Sequence, residues 1–144
     1  MASSPHSPPG RQDAGRWVGR NRAAFYRELL VATNAGPFDG GCVVVAQALH
    51  LKYGGEIVVL ARADGVADHA ALRLDDRYLD GDGMATSAPE LLARFNTLEM
   101  GAAVSVRPLQ DKDLPDAPRG LAVARRLAAL LPKHPPAPQD SSSP

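Results

Sequence analysis

One cysteine, one histidine and two aspartates hold the chemistry this chain could do. Cys42 is the only cysteine among 144 residues, and it follows Gly40-Gly41 at the head of a strongly apolar segment, residues 42–53. If that segment is a helix, Cys42 lies in its first turn. There the unsatisfied N–H groups and the helix dipole favour a thiolate and offer donors to an oxyanion forming beside the sulfur. The two glycines let a substrate backbone come close. His69 stands near the start of a β-like run, residues 68–74, and Asp80 and Asp82 lie near the end of the next, residues 77–82.

Asp75-Asp76 between those runs is the expected two-residue hairpin turn. Such a turn sets Leu74 against Arg77, Arg73 against Tyr78, Ala71 against Asp80 and His69 against Asp82. Asp80 is then diagonal to His69 on the same face, about 7–8 Å away between backbones, and either aspartate can hold the imidazole. A thiol at a helix start, an imidazole on one strand and a carboxylate on the next are the parts of a nucleophile, its base and the base's orienter. Each part also has a plain structural reading. A lone cysteine is commonly a small buried hydrophobe, a strand histidine is often satisfied by a neighbour, and turn aspartates bind their own backbone. It is the combination that points to catalysis.

The positioning elements follow from periodicity and punctuation. Val18, Phe25, Leu29 and Ala32 recur at helical spacing over residues 17–32, and Asn34-Ala35-Gly36-Pro37 stops that helix. Residues 38–41 read as a turn. The segment 42–53 is apolar on most sides, so it is expected to be a central helix ended by Gly54-Gly55. Residues 56–62, 68–74 and 77–82 predict three strands, with a turn at Ala63-Asp64-Gly65. Ser87-Ala88-Pro89-Glu90 is a capping box opening a helix to about Asn96. Residues 103–106 predict a further strand. A closing amphipathic helix is expected over 118–131, with Leu121, Ala124, Leu127, Ala128 and Leu131 on one face. Consecutive, hairpin-linked strands make the class α+β with an antiparallel sheet.

Composition bounds the remaining choices. Hydrophobic residues make up 44% and charged residues 22%, with a formal net charge of zero, which offers no basic surface for nucleic acid or anionic membrane. A single cysteine excludes an internal disulfide and a thiolate-rich zinc site. Asp76, Asp80, Asp82 and Gly83 have the look of an acidic calcium loop but lack its closing Glu, so no metal is expected, and no cofactor either. No apolar stretch reaches the roughly 20 residues that span a bilayer. Residues 1–10 lack the apolar core of a signal peptide, so the expected compartment is the cytoplasm, with export without a cleavable signal left open. Residues 1–15 and 133–144, rich in Pro and Ser, read as disordered tails around one domain, residues 16–132.

The segments Asp39-Gly40-Gly41-Cys42, Asp68-His69-Ala70-Ala71-Leu72 and Tyr78-Leu79-Asp80-Gly81-Asp82-Gly83 resemble the three blocks of the papain-like cysteine hydrolase superfamily. The branch they resemble holds transglutaminase-like proteins, arylamine acetyltransferases and NlpC-type peptidases. The resemblance covers residues 39–83. It implies a helix bearing the cysteine packed on an antiparallel sheet, with Cys42 as nucleophile and His69 as base. It implies Asp80, followed by Gly81, as the orienting residue, with Asp82 before Gly83 as the alternative. Papain-like enzymes take an extra oxyanion donor from an amide side chain shortly before the cysteine. Asn34, eight residues upstream, is the candidate, although it reads first as the residue ending the first helix. Val43 stands where transglutaminase-like proteins often carry Trp, which argues against transglutaminase activity proper.

The implied activity is a thiol-dependent amidohydrolase, a peptidase or glutamine deamidase, acting on a protein or peptide through an acyl-enzyme. Two alternatives stand beside it: a catalytically silent papain-like binding or adaptor module, and a secreted effector or toxin using the same triad. Substrate and oligomeric state are not legible in the residues.

Overall fold

The computed structural model describes residues 22–33, 41–114 and 117–136. Helix α1 spans Arg22–Thr33 and α2 spans Cys42–Tyr53. Four strands follow: β1 Glu56–Arg62, β2 Ala67–Leu74, β3 Arg77–Asp80 and β4 Gly83–Ala85. Then come α3 Ala88–Glu99, β5 Ala103–Pro108, a 3₁₀ turn Asp111–Asp113 and α4 Ala117–Ala128. The five strands form one antiparallel sheet in the order β4-β3-β2-β1-β5. The chain is therefore α+β with an antiparallel sheet. Among the described residues no helix is long and apolar enough to cross a membrane.

Helices cover both faces of the sheet. On one side Phe25 and Leu29 of α1, Val45 and Leu49 of α2 and Ala124 and Leu127 of α4 pack on Leu72, Leu79 and Met84. On the other, Leu91 and Phe95 of α3 pack on Val58, Leu60, Ala71 and Ala103. A sheet covered twice explains why β1 reads as a nearly continuous apolar run, with Val58 to Ala61 all buried, and not as an alternating one. The same reasoning accounts for α2, whose residues Val44, Val45, Ala46, Ala48 and Leu49 are all buried. A helix apolar all round belongs in the middle of a fold.

Local signals decide the turns. Asp75-Asp76 is the hairpin turn between β2 and β3, with Leu74 opposite Arg77 and Arg73 opposite Tyr78. Asp75 takes φ 58°, a left-handed conformation that Asp tolerates better than most residues. Ser87 caps α3, its hydroxyl accepting from Glu90 N–H at 3.1 Å. The reciprocal arm differs from a standard capping box, because the Glu90 carboxylate accepts from Thr86 N–H at 3.0 Å.

Several expectations need correction. The segment 77–82 is not one strand: β3 stops at Asp80 and a short fourth strand, Gly83–Ala85, folds back on it. The cause is Asp80 itself, whose Oδ1 accepts from Asp82 N–H at 2.8 Å and turns the chain. Paired residues of β2 and β3 end at Leu72 and Leu79, so the expected pairs Ala71–Asp80 and His69–Asp82 are not part of the ladder. Helix α3 continues to Glu99, past Asn96. In α4 it is Val123 that is buried, while Leu121 is 39% exposed; the helix ends at Ala128 and turns before reaching Leu131. The helix expected over 17–32 is described from Arg22. Asn34, the turn 38–40, residues 1–21 and residues 137–144 lie outside the described residues.

Candidate active site

The three residues singled out by type and spacing meet at one end of the sheet. Cys42 is the first residue of α2, after Gly41, which has no side chain to cap the helix. The thiol is half-buried beside the layer formed by Ala46, Val59 and Ala70. His69 is placed by a β-bulge: Leu60 pairs with His69 but Ala61 pairs with Ala67, which leaves Asp68 as the extra residue. Bulges of this kind re-aim a side chain. The bulged Asp68 is anchored by its carboxylate, which accepts from Ala102 N–H at 3.2 Å. Asp80 is the last residue of β3, at the point where that strand leaves its neighbour.

His69 and Asp80 are buried together, their side chains 2% and 3% exposed, with Nε2 and Oδ2 2.9 Å apart. Cys42 lies close enough to His69 to act on its ring. Asp82 is buried nearby, but of the two aspartates it is Asp80 that bonds His69; Asp82 contributes its backbone N–H to the other Asp80 oxygen.

Two residues of α3 complete the cluster. The Arg94 guanidinium donates through Nη2 to Asp80 Oδ1 at 2.8 Å and to Gly83 O at 3.1 Å. The ring of Phe95 stacks on His69, centroids 4.6 Å apart and planes 11° from parallel. Neither residue stood out in the sequence. A signal was present for Arg94: it lies three residues after Leu91 and beside Phe95, both buried, so the core-facing stripe of α3 carries a charge that needs a partner.

These contacts shape the electrostatics. For His69, burial works against the charged form. The hydrogen bonds to Asp80 and Cys42 and the attraction of those groups outweigh it, and the imidazolium is pushed up to about 9. For Asp80, burial pushes upward, but the His69 hydrogen bond, the Arg94 charge and the Asp82 N–H together hold the carboxyl below its ordinary range. A base that is protonated near neutrality, next to a thiol and locked by an ionised carboxylate, is equipped to hold a thiolate–imidazolium pair and to hand a proton to a leaving group. Among the described residues no group of three or more His, Cys, Asp or Glu could hold a metal ion.

Gly101 sets the position of the Phe95 ring. A Cβ there would run into Phe95 Cε2 and Cδ2 and lie 2.9 Å from Asn96 Oδ1. Asn96 itself clamps the start of β5, accepting from Ala103 N–H at 3.0 Å and donating to Ala103 O at 2.8 Å. Gly101→Ala is therefore expected to cost about 1–3 kcal/mol in urea unfolding, the usual range for overpacking, because the 5%-exposed Phe95 has nowhere to go. An unchanged unfolding midpoint would show that the ring moves aside freely and is not a fixed wall for His69.

Comparison of the chain with protein-family models, with curated proteins and with solved structures gives no match. The fold and the site thus define a class only: an α+β protein whose sheet end gathers a half-buried thiol, a buried imidazole and a buried carboxylate.

Proposed function

We propose that this chain is a papain-like cysteine hydrolase, a thiol-dependent amidohydrolase of the peptidase or glutamine-deamidase type. The observation that carries the proposal is the position of His69, hydrogen-bonded to a buried Asp80 and set beside Cys42 at the head of α2. In this reading the pair rests as Cys42 thiolate and His69 imidazolium, the thiol proton already on the ring, and the thiolate attacks an amide carbonyl. The tetrahedral oxyanion is met by N–H groups of the first turn of α2, where Gly41 leaves the approach open. His69 then gives its proton to the departing amine, and Cys42 is left as a thioester. Water, deprotonated by His69, attacks the thioester and releases the acid and the thiol. Asp80 keeps the ring in one tautomer throughout.

Incubation with a panel of peptide amides and glutamine-containing peptides, followed by intact-mass measurement of the protein, tests the proposal. An acyl adduct on Cys42, together with hydrolysed product, is expected in wild type. Loss of both in Cys42→Ala would tie the reaction to the thiol. Turnover that survives Cys42→Ala, or a panel that leaves Cys42 unmodified while a thiol-directed peptide probe also fails to label it, would overturn it.

A further inference from the structure

Arg94 is the one charged side chain of α3 that the fold directs into this cluster, and the mechanism above gives it no task. It is 16% exposed and lies against an Asp80 carboxylate that is 3% exposed. We propose that Arg94 is a positioning residue acting through Asp80: by taking Oδ1 it keeps Oδ2 on His69 Nε2, and so keeps the imidazole set beside Cys42. This rests on the reading of Cys42 and His69 as nucleophile and base, and names what holds that pair in register.

The geometry divides the carboxylate cleanly. Oδ1 receives Arg94 Nη2 and Asp82 N–H, each at 2.8 Å, and Oδ2 receives His69 Nε2 at 2.9 Å. A buried carboxylate without a counter-charge tends to take up a proton. A protonated Asp80 would lose its hold on the imidazolium and compete as a donor. Arg94 removes that option, and its second bond, to Gly83 O, ties α3 to the turn that sets the Asp80 backbone. The next residue along the helix, Phe95, holds the His69 ring by stacking. One helix turn thus braces the imidazole against its face and the carboxylate through Oδ1.

The other groups around the pair do not duplicate this role. Cys42 of α2 acts on the imidazole and not on the carboxylate. Asp68 of β2 has its carboxylate on Ala102 N–H, and Glu90 of α3 is turned to Thr86. Asp82, in the turn after β3, brings a further carboxyl group and not a cation. Among the described residues, Arg94 is the arginine paired with Asp80 beside the His69 contact.

The test compares Arg94→Gln and Arg94→Lys in the full chain by three readouts: thermal unfolding, the ¹⁵N NMR titration and tautomer of His69 (assigned by loss of its signals in His69→Ala), and the iodoacetamide rate of Cys42 at pH 8 and pH 6. In Arg94→Gln, read above the His69 titration where the ring is neutral, the single His69 tautomer is expected to give way to a mixture. The rate at pH 6 relative to pH 8 is expected to fall at least about 10-fold, the scale of effect that loss of alignment at a reacting centre produces. Arg94→Lys, which restores the charge, should return both readouts most of the way even where its unfolding temperature stays low. A wild-type tautomer and rate ratio in Arg94→Gln would overturn the proposal, and so would an Arg94→Lys as defective as Arg94→Gln. If wild-type Cys42 itself reacts as an ordinary thiol, the hydrolase reading is what fails. The His69 tautomer in Arg94→Gln then decides Arg94 by itself, an unchanged tautomer counting against it.

Discussion

In His69→Ala, the iodoacetamide rate of Cys42 is expected to drop roughly 75-fold between pH 8 and pH 6, while in wild type it stays within a few-fold over the same interval. The figure for the variant follows from the ionised fraction of an ordinary thiol with a reference pKa of about 8.5. Comparing two pH values within one protein cancels intrinsic nucleophilicity and leaves the ionised fraction. In the proposed reading, wild type relies on His69, which is raised to about 9 and so sets a cation beside the sulfur across the whole interval, an arrangement that favours a thiolate. Parallel pH profiles in wild type and variant would make Cys42 a structural residue. The enzyme reading would then yield to a binding module on the same scaffold.

Removal of the Asp80 carboxylate is the second large effect. Asp80→Ala is expected to destabilise the fold by about 3–5 kcal/mol, the range seen when one partner of a buried ion pair is deleted. Three donors, His69 Nε2, Arg94 Nη2 and Asp82 N–H, end on this one group. Without it the Arg94 charge and a ring that favours its proton are left buried and uncompensated. The pH dependence of urea unfolding gives the sign. Asp80 lies below its ordinary value, so its contribution is present above about pH 3.8 and is lost as pH falls through the folded value. His69 is raised from 6.5 to about 9, so its contribution is full below pH 6.5 and is lost as pH rises toward 9. Wild type should therefore be most stable between roughly pH 4 and 6.5, as far as this pair decides it, and Asp80→Ala should flatten both limbs. A cost under about 1 kcal/mol would place Asp80 with ordinary surface carboxylates.

The two experiments separate chemistry from architecture. The alkylation profile reads the sulfur and its neighbour. The unfolding profile reads the carboxylate and the helix behind it. A protein that passes the second and fails the first has the constellation without the reactivity, which is the form a silent adaptor would take.

What the residues determine by themselves is local. Gly41 before Cys42, and an apolar run too long for a strand, put the thiol in the first turn of a helix, because capping and periodicity act within a few residues. Asp75-Asp76 sets a hairpin, and a hairpin fixes register for its neighbours, so Arg73–Tyr78 and Leu74–Arg77 were legible. Ser87 and Glu90 likewise start α3 from within the helix. Tertiary structure decided the rest. The choice of Asp80 over Asp82 depends on where β3 leaves the ladder, and that depends on a turn made by the Asp80 carboxylate itself. The bulge at Asp68 depends on pairing with β1, and the place of β5 beside β1 is fixed only by the assembled sheet. Arg94 and Phe95 join the site because α3 crosses the face of the sheet that carries His69, some 25 positions earlier in the chain. Short-range hydrogen-bonding preferences are written in neighbouring residues. A buried charge finds its partner only when distant segments have excluded water together.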